Sequence, residues 1–433
     1  MTNREIARYA LEALKKAGAD EAQCIVSQGK TDELNVDGGQ FSLMRSLLNS
    51  SVSLKAVVDH RKGVVAINRL DRESIDKAAA DCIAAARSSV PDEAETISSQ
   101  PEEGETAFVS GVLEPDMDGL FDRIQEFMKT LEADYPRVLM EQLISEYDYT
   151  DVLYLNTNGV ELSYRAGGYG FSTMFSAHEG EKASSFIGYG ANLNSLEQPF
   201  LEAGQQKILL EESEKQLSAR PVEGKFTGTL VITPACLGEI LSSIMSNFMS
   251  DSVIIDKTSP WMEKLGQRVA DASFTLRTIP LDGRIVCGER FTSEGYRSQN
   301  ETLIEKGILK SFKLSAYGSR KTGYPKALNS SWNLEVLPGE ESLEKLLSGI
   351  EKGLVLNRFS GGEPGTNGDF SGVAKNSFLI ENGKVSDAVS ETMVSGNLAE
   401  LLLHIRGITK ERLSDGAAVL PWMAFDGVTI SGK

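Results

Sequence analysis

Three stretches of this 433-residue chain carry residue types that do chemistry, and spacing decides what each is worth. His178-Glu179 begins like a zinc helix, but the HExxH pattern needs a histidine at 182, where Lys182 stands, and the surrounding GFSTMFSAHEG alternates like a strand. His178 therefore reads as a strand-end residue in solvent. His60 and His404 are isolated, and three histidines supply a transition-metal site poorly. Cys236 falls in the first turn of a helix, where the dipole favours thiolate. Its neighbours, Leu237 and a preceding apolar strand, favour inert packing instead. No GxSxG elbow singles out a serine, although a triad assembled from distant residues stays open. Gly361, Gly362, Gly365, Gly368 and Gly372 crowd FSGGEPGTNGDFSG without GxGxxG or GxxxxGK[ST] spacing, which reads as a turn-rich loop near a site rather than a phosphate cradle.

The element that would position such a site best is the helix ACLGEILSSIMSNFMS, residues 235 to 250. Leu237, Ile240, Leu241, Ile244, Met245, Phe248 and Met249 recur at the spacing of one buried stripe, while Ser242, Ser243, Ser246 and Asn247 fall off it. Thr233 is placed to cap the helix and Pro234 suits its first position. The short apolar strand GTLVITP runs directly into it.

Around that helix the chain reads as an α+β protein, since strands cluster instead of alternating regularly with helices. Residues 1–90 form an N-terminal α/β segment, with helices near 3–17 and 72–88. Residues 91–115 read as an acidic, solvated linker containing PDEAETISSQPEEGE. Residues 116–222 form a middle segment of one helix, an antiparallel sheet turning at Asn158-Gly159, and a long polar helix near 196–217. Residues 223–433 are β-rich, with tight turns expected at Lys306-Gly307 and Asn382-Gly383.

Composition narrows the partners. A formal net charge of −18 disfavours direct nucleic-acid binding, which relies on lysine and arginine displacing counterions. No window approaches a membrane span, and MTNREIARYALEALKKAGADE lacks a signal-peptide core, so a cytoplasmic protein is expected. Four cysteines (Cys24, Cys82, Cys236, Cys287) lie far apart with no CxxC pair, as reduced thiols do.

In the last segment, FTSEGYRSQNETLIEKGILKSFKLSAYGSRKTG, NGDFSGVAKNSFLIENGKVSDAVSETMVSGNL and AAVLPWMAFDGVTISGK resemble the TldD/PmbA family, closest to its PmbA (TldE) branch. The combination carries the likeness: the EG turn at Ser293 to Gly295, the xIxxGIL hairpin, the SxRKxG run at Ser319 to Gly323, the GDFS loop at Gly368 to Ser371, and a closing VxIxG strand. The resemblance implies a metallopeptidase complex in which the TldD subunit carries HExxxH and a loop cysteine that hold zinc. It places Ser242, Ser243 and Asn247 where histidine, glutamate and histidine would stand, and Ser371 to Lys375 offer no thiol. Hydroxyls and an amide are poor zinc ligands, and no histidine lies between 179 and 403.

The resemblance thus implies a subunit with no catalytic or metal residue and no cofactor of its own, working with a TldD-like zinc-bearing partner, or as a homodimer, on extended or precursor peptides. Glu294, Arg297, Arg320, Lys321, Asp369 and Ser371 are expected to border a peptide chamber, or merely to satisfy turns. The older family label, modulator of DNA gyrase, implies no DNA contact here. Two alternatives stand beside this reading: a homo-oligomeric peptidase using Cys236 or a serine, and a stand-alone binder of extended peptides.

Overall fold

A computed structural model describes residues 1–99, 103–362 and 364–433. Two sheets organise them. The first is built from β1 (Glu21–Asp37), β2 (Gln40–Val58), β3 (Arg61–Ile67), β4 (Ala107–Gly111), β5 (Val138–Asn156), β6 (Glu161–Glu179), β7 (Lys182–Ala183) and β8 (Ile187–Leu193). Its order is β3-β2-β1-β5-β6-β4, with β7 and β8 also paired to β6. Helices α1 (Asn3–Ala17) and α2 (Arg72–Ser88) cover one end, and α3 (Met117–Asp134) and α4 (Gln206–Lys215) the other.

Local chemistry explains these elements. Thr2 and Glu5 form a reciprocal capping box that starts α1, and Gly18 in the left-handed conformation ends it. The helix buries Ile6, Ala10 and Leu14 against Cys24, Val26 and Leu54 of the sheet and against Ile75 and Cys82 of α2. In the β5–β6 turn, Asn156 accepts from the Asn158 and Val160 amides, and Gly159 takes a φ of 90°.

Three expectations change on folding. The 1–90 and 116–222 segments share one sheet, because β1 pairs β5 from Gln23↔Asn156 to Asp37↔Gln142. The stretch expected to be a solvated linker is packed at its start: Ala94, Glu95, Ile97 and Ser98 are buried, with Glu95 held by Lys55 and Lys62. Two lysines offset the desolvation of one carboxylate there. Gln100, Pro101 and Glu102 of that stretch lie outside the described residues. The polar helix expected near 196–217 is broken into a 3-10 turn at Phe200–Glu202, α4, and a second 3-10 turn at Gln216–Ser218.

The second sheet holds β9 (Arg220–Pro221), β10 (Lys225–Ile232), β11 (Leu276–Thr278), β12 (Glu301–Glu305), β13 (Ile308–Leu309), β14 (Leu334–Val336) and β15 (Lys352–Leu356). It continues with β16 (Arg358–Gly361), β17 (Asp369–Lys375), β18 (Ser377–Glu381), β19 (Lys384–Ser390), β20 (Thr392–Asn397), β21 (Ile405–Ser414) and β22 (Val419–Ser431). The closing strand β22 is its axis, pairing β10, β14, β20 and β21. The expected turns appear at Lys306-Gly307 and Asn382-Gly383, all four residues with positive φ, the geometry that matches strand twist.

Helix α5 (Pro234–Met249) lies on this sheet and puts Leu237, Leu241, Ile244, Met245 and Phe248 into the largest core of the molecule, beside Leu230, Ile232, Leu420 and Phe425. Short helices α6 (Asp251–Ile255), α7 (Ala316–Thr322), α8 (Leu343–Ser348) and α9 (Leu398–Leu403) fill its margins. The architecture is α+β. No described helix is long and apolar enough to cross a membrane.

Candidate functional site

The polar side of α5 is overlaid by β16 and the glycine-rich loop that follows it. Cys236, near the start of the helix, is buried beneath Phe359 of β16. Three turns on, the Asn247 side-chain amide donates to the Pro364 carbonyl at 3.1 Å. Ser242 and Ser243 sit half-buried between these two contacts. The loop returns at Gly368, whose φ of 87° and closeness to Phe248 leave no room for a side chain: a Cβ there would stand 2.8 Å from the ring. Beyond it, Asn397 donates to the Asn367 carbonyl and to Asp369, each at 2.9 Å, tying the loop to β20. Glu363 of this loop lies outside the described residues.

The donors on this face do not fit a zinc ion. Two hydroxyls and a neutral amide already engaged by Pro364 supply no imidazole, thiolate or carboxylate at the three positions. The described residues contain no cluster of three or more His, Cys, Asp or Glu side chains suited to a metal. Nor is Cys236 set up as a nucleophile, because burial pushes its thiol up to about 12 in spite of its place near a helix N-terminus.

The first turn of α5 differs from expectation in one respect. Thr233 is the N-cap residue, but its hydroxyl makes no capping bond and is buried without a partner. The side-chain carbonyl of Gln205 accepts the Ala235 amide instead, at 3.0 Å. Gln205 reaches the helix because Tyr189 of β8 holds its backbone amide at 2.9 Å.

Beside this turn a cavity of about 310 Å³ opens between the two sheets, lined among others by Tyr189, Leu209, Cys236, Glu239, Asn357 and Asp415. Behind Asn357 stands Glu212, which accepts from its amide at 2.6 Å, and burial raises this carboxyl to about 7. Glu239, Gln205, Glu212 and Asn357 were not singled out by motif reasoning. Only Glu239 left a local signal, as the one charge on the helix; the other three belong to no motif.

The six residues expected to border a chamber divide into two groups. Asp369 and Ser371 lie at the glycine-rich loop, at the start of β17. The other four face the first sheet. The Glu294 carboxylate accepts the Ala316 amide at the head of α7, while its backbone carbonyl accepts from Tyr154 of β5 at 3.1 Å. Arg297 donates to the Glu103 carbonyl, Arg320 to the Ala94 carbonyl at 2.7 Å, and Lys321 to Asp92 at 2.9 Å. Gly295, at a φ of 83°, packs directly on the Tyr154 ring. The EG turn and the SxRKxG run therefore clamp the two halves together. His178 ends β6, half exposed, as its alternating surroundings indicated.

What this arrangement offers chemically is a cleft beside a strand edge. The outer edge of β16 has no strand partner among the described residues, and the strand packs on α5, where the Phe359 backbone meets Cys236. Such an edge presents main-chain donors and acceptors to an extended chain.

The family model described as the PmbA/TldA metallopeptidase C-terminal domain matches residues 224–432. A Haemophilus influenzae protein named as a metalloprotease PmbA homologue is 23% identical over 448 residues, covering 98% of this chain and 96% of that one. A metalloprotease of Methanocaldococcus jannaschii is 26% identical over 213 residues, and that match spans 45% of this chain and 46% of the relative, about half the length of each. Among solved structures, TldE from Thermococcus kodakarensis superposes with a TM-score of 0.83 at 19% identity, covering 98% of this chain and 99% of that one. A protein described as a modulator of DNA gyrase from Bacteroides thetaiotaomicron gives 0.85 at 24% identity, covering 100% and 99%. At these identities the two structures speak for the fold alone.

Proposed function

Because this chain belongs to the TldD/PmbA family, on its PmbA branch, we propose that it is the non-catalytic, peptide-holding subunit of a zinc metallopeptidase complex. The observation that carries the reading is the α5 surface: where the family resemblance expects histidine, glutamate and histidine stand Ser242, Ser243 and Asn247, and Asn247 is already bonded to Pro364. Hydroxyls and an amide neither hold a hydrolytic cation nor act as its carboxylate base. The zinc and the bond cleavage then belong to a second, TldD-like chain.

The substrate class is extended or precursor peptide. Support comes from the free edge of β16 beside the cleft, since strand addition grips a main chain with little regard to sequence. Asp369 and Ser371 would border the bound peptide from the loop. The four unpaired thiols support a reducing, cytoplasmic setting, and the acidic balance argues against nucleic acid as a partner.

Metal analysis of the purified chain and of its complex from the native host tests this. The expected result is less than stoichiometric zinc and no peptide turnover for the chain alone, and a histidine-bearing relative with zinc in the pull-down. Stoichiometric zinc in the isolated chain, lost on substituting α5 residues, would overturn the reading.

A further inference from the structure

We propose that the cavity between the two sheets, beside the first turn of α5, is a pocket for a primary ammonium group: the free amino terminus or a lysine side chain of a bound peptide. The proposal rests on the peptide-holding reading and adds to it the chemical group that is recognised.

Two buried amides define the pocket. Asn357 and Asn376, 6% and 4% exposed, line the cavity, and the side-chain oxygen of each is buried with no hydrogen-bond partner. Neither amide can turn over to remove this. Asn357 Nδ2 already donates to the Glu212 carboxylate at 2.6 Å and to the Asn376 carbonyl at 2.8 Å, and Asn376 Nδ2 donates to the Phe186 carbonyl at 3.0 Å. Reversal would set oxygen against oxygen at each of these contacts, so both Oδ1 atoms are fixed as acceptors that need a donor. Buried acceptors are rarely left that way, because their desolvation goes uncompensated.

Charge selects the donor. Glu239 stands exposed at the cavity with no ion pair among the described residues, Asp415 lines it as well, and Glu212 lies directly behind Asn357. Arg358, the cation of the lining, is turned to the Phe186 carbonyl at 3.0 Å. Such surroundings disfavour an anion, and a neutral hydroxyl, with its single proton, would leave one Oδ1 unserved. An ammonium carries three donors and no acceptor, enough for the two Oδ1 atoms and one carboxylate. Buried Ile187 and Leu209 supply an apolar wall for the carbon stem behind it. The place suits a peptide end, since β16 begins at Arg358 and a chain laid along its free edge runs into the pocket there.

Fluorescence anisotropy on the full chain tests the proposal. The probe is a short, unfolded peptide labelled near its carboxyl end, in three forms: lysine-free with a free amino terminus, the same peptide acetylated, and the acetylated peptide with one lysine added. Acetylation of the lysine-free form is expected to weaken binding at least about tenfold, as loss of charge-assisted contacts does. Affinity regained with the added lysine supports the side chain as a second source, and affinity not regained supports the terminus alone. Glu239→Gln, at an exposed position, and Asn376→Gly, where a φ of 54° suits glycine, should each abolish the difference between the free and acetylated forms. Equal binding of all three forms to wild type would overturn the pocket and leave peptide holding intact, whereas binding of none would overturn both. A preference that survives in both variants, or one that follows amidation of the carboxyl end instead, would overturn the pocket as well.

Discussion

The side-chain carbonyl of Gln205 accepts the Ala235 amide at 3.0 Å, so a residue preceding the second sheet caps the helix that carries the candidate site. The cap residue itself, Thr233, holds a buried hydroxyl with no partner. Gln205→Ala should therefore cost about 1–2 kcal/mol, as loss of a cap does, whereas Thr233→Val should be neutral or slightly stabilising because an unsatisfied group is removed. Urea unfolding of both variants checks the inversion; a costlier Thr233→Val would show that the hydroxyl does cap.

Glu212 gives a pH signature. Burial raises its carboxyl to about 7, and the unfolded chain ionises it in the ordinary glutamate range. The folded state thus holds a proton that the unfolded state has released, so this group's contribution falls as pH rises from about 4.5 to about 7 and is constant above. Glu212→Gln keeps an acceptor for Asn357 and should remove that decline, making the variant roughly 2–3 kcal/mol more stable at pH 8. Melting curves at pH 5 and pH 8 measure it, and an unchanged pH dependence would place the ionisation elsewhere.

The loop over α5 has its own test. Gly368→Ala imposes a side chain at a φ of 87° and within 2.8 Å of Phe248, two penalties that together should reach about 2–4 kcal/mol. If peptide is held at this loop, affinity should fall in the same variant, read by fluorescence anisotropy of a labelled unfolded peptide.

Asp92 serves the clamp between the halves. Bonds from Lys321, first of all, and from the Ala94 amide and Tyr317 hold its carboxyl down to about 2. The stabilisation is present above the ordinary aspartate range and lost as pH falls from about 4 to about 2. Asp92→Asn should raise hydrogen exchange at residues 92–98 severalfold at neutral pH, and exchange equal to wild type would mean that Arg320 alone suffices.

Much of the local structure was legible without coordinates. The stripe in α5, the Asn-Gly and Lys-Gly turns and the strand-end place of His178 follow from periodicity and turn chemistry, which act within a few residues. The segment divisions fared differently. An acidic run with few apolar residues reads as solvated, yet Ala94 and Ile97 were enough to bury it once Lys55 and Lys62 stood opposite Glu95.

By itself, then, the order of residues determined which ligands the α5 helix cannot supply, because no histidine lies between 179 and 403. It also carried the likeness to the TldD/PmbA family, through phrases whose spacing is local. Only the tertiary structure decided that β1 pairs β5, that Glu294, Arg297, Arg320 and Lys321 clamp the two halves while Asp369 and Ser371 stay at the loop, and that Asn247 meets Pro364. These contacts join residues about a hundred or more positions apart, and such pairings are selected by which apolar faces can be buried together, a property of the whole chain that no short window contains.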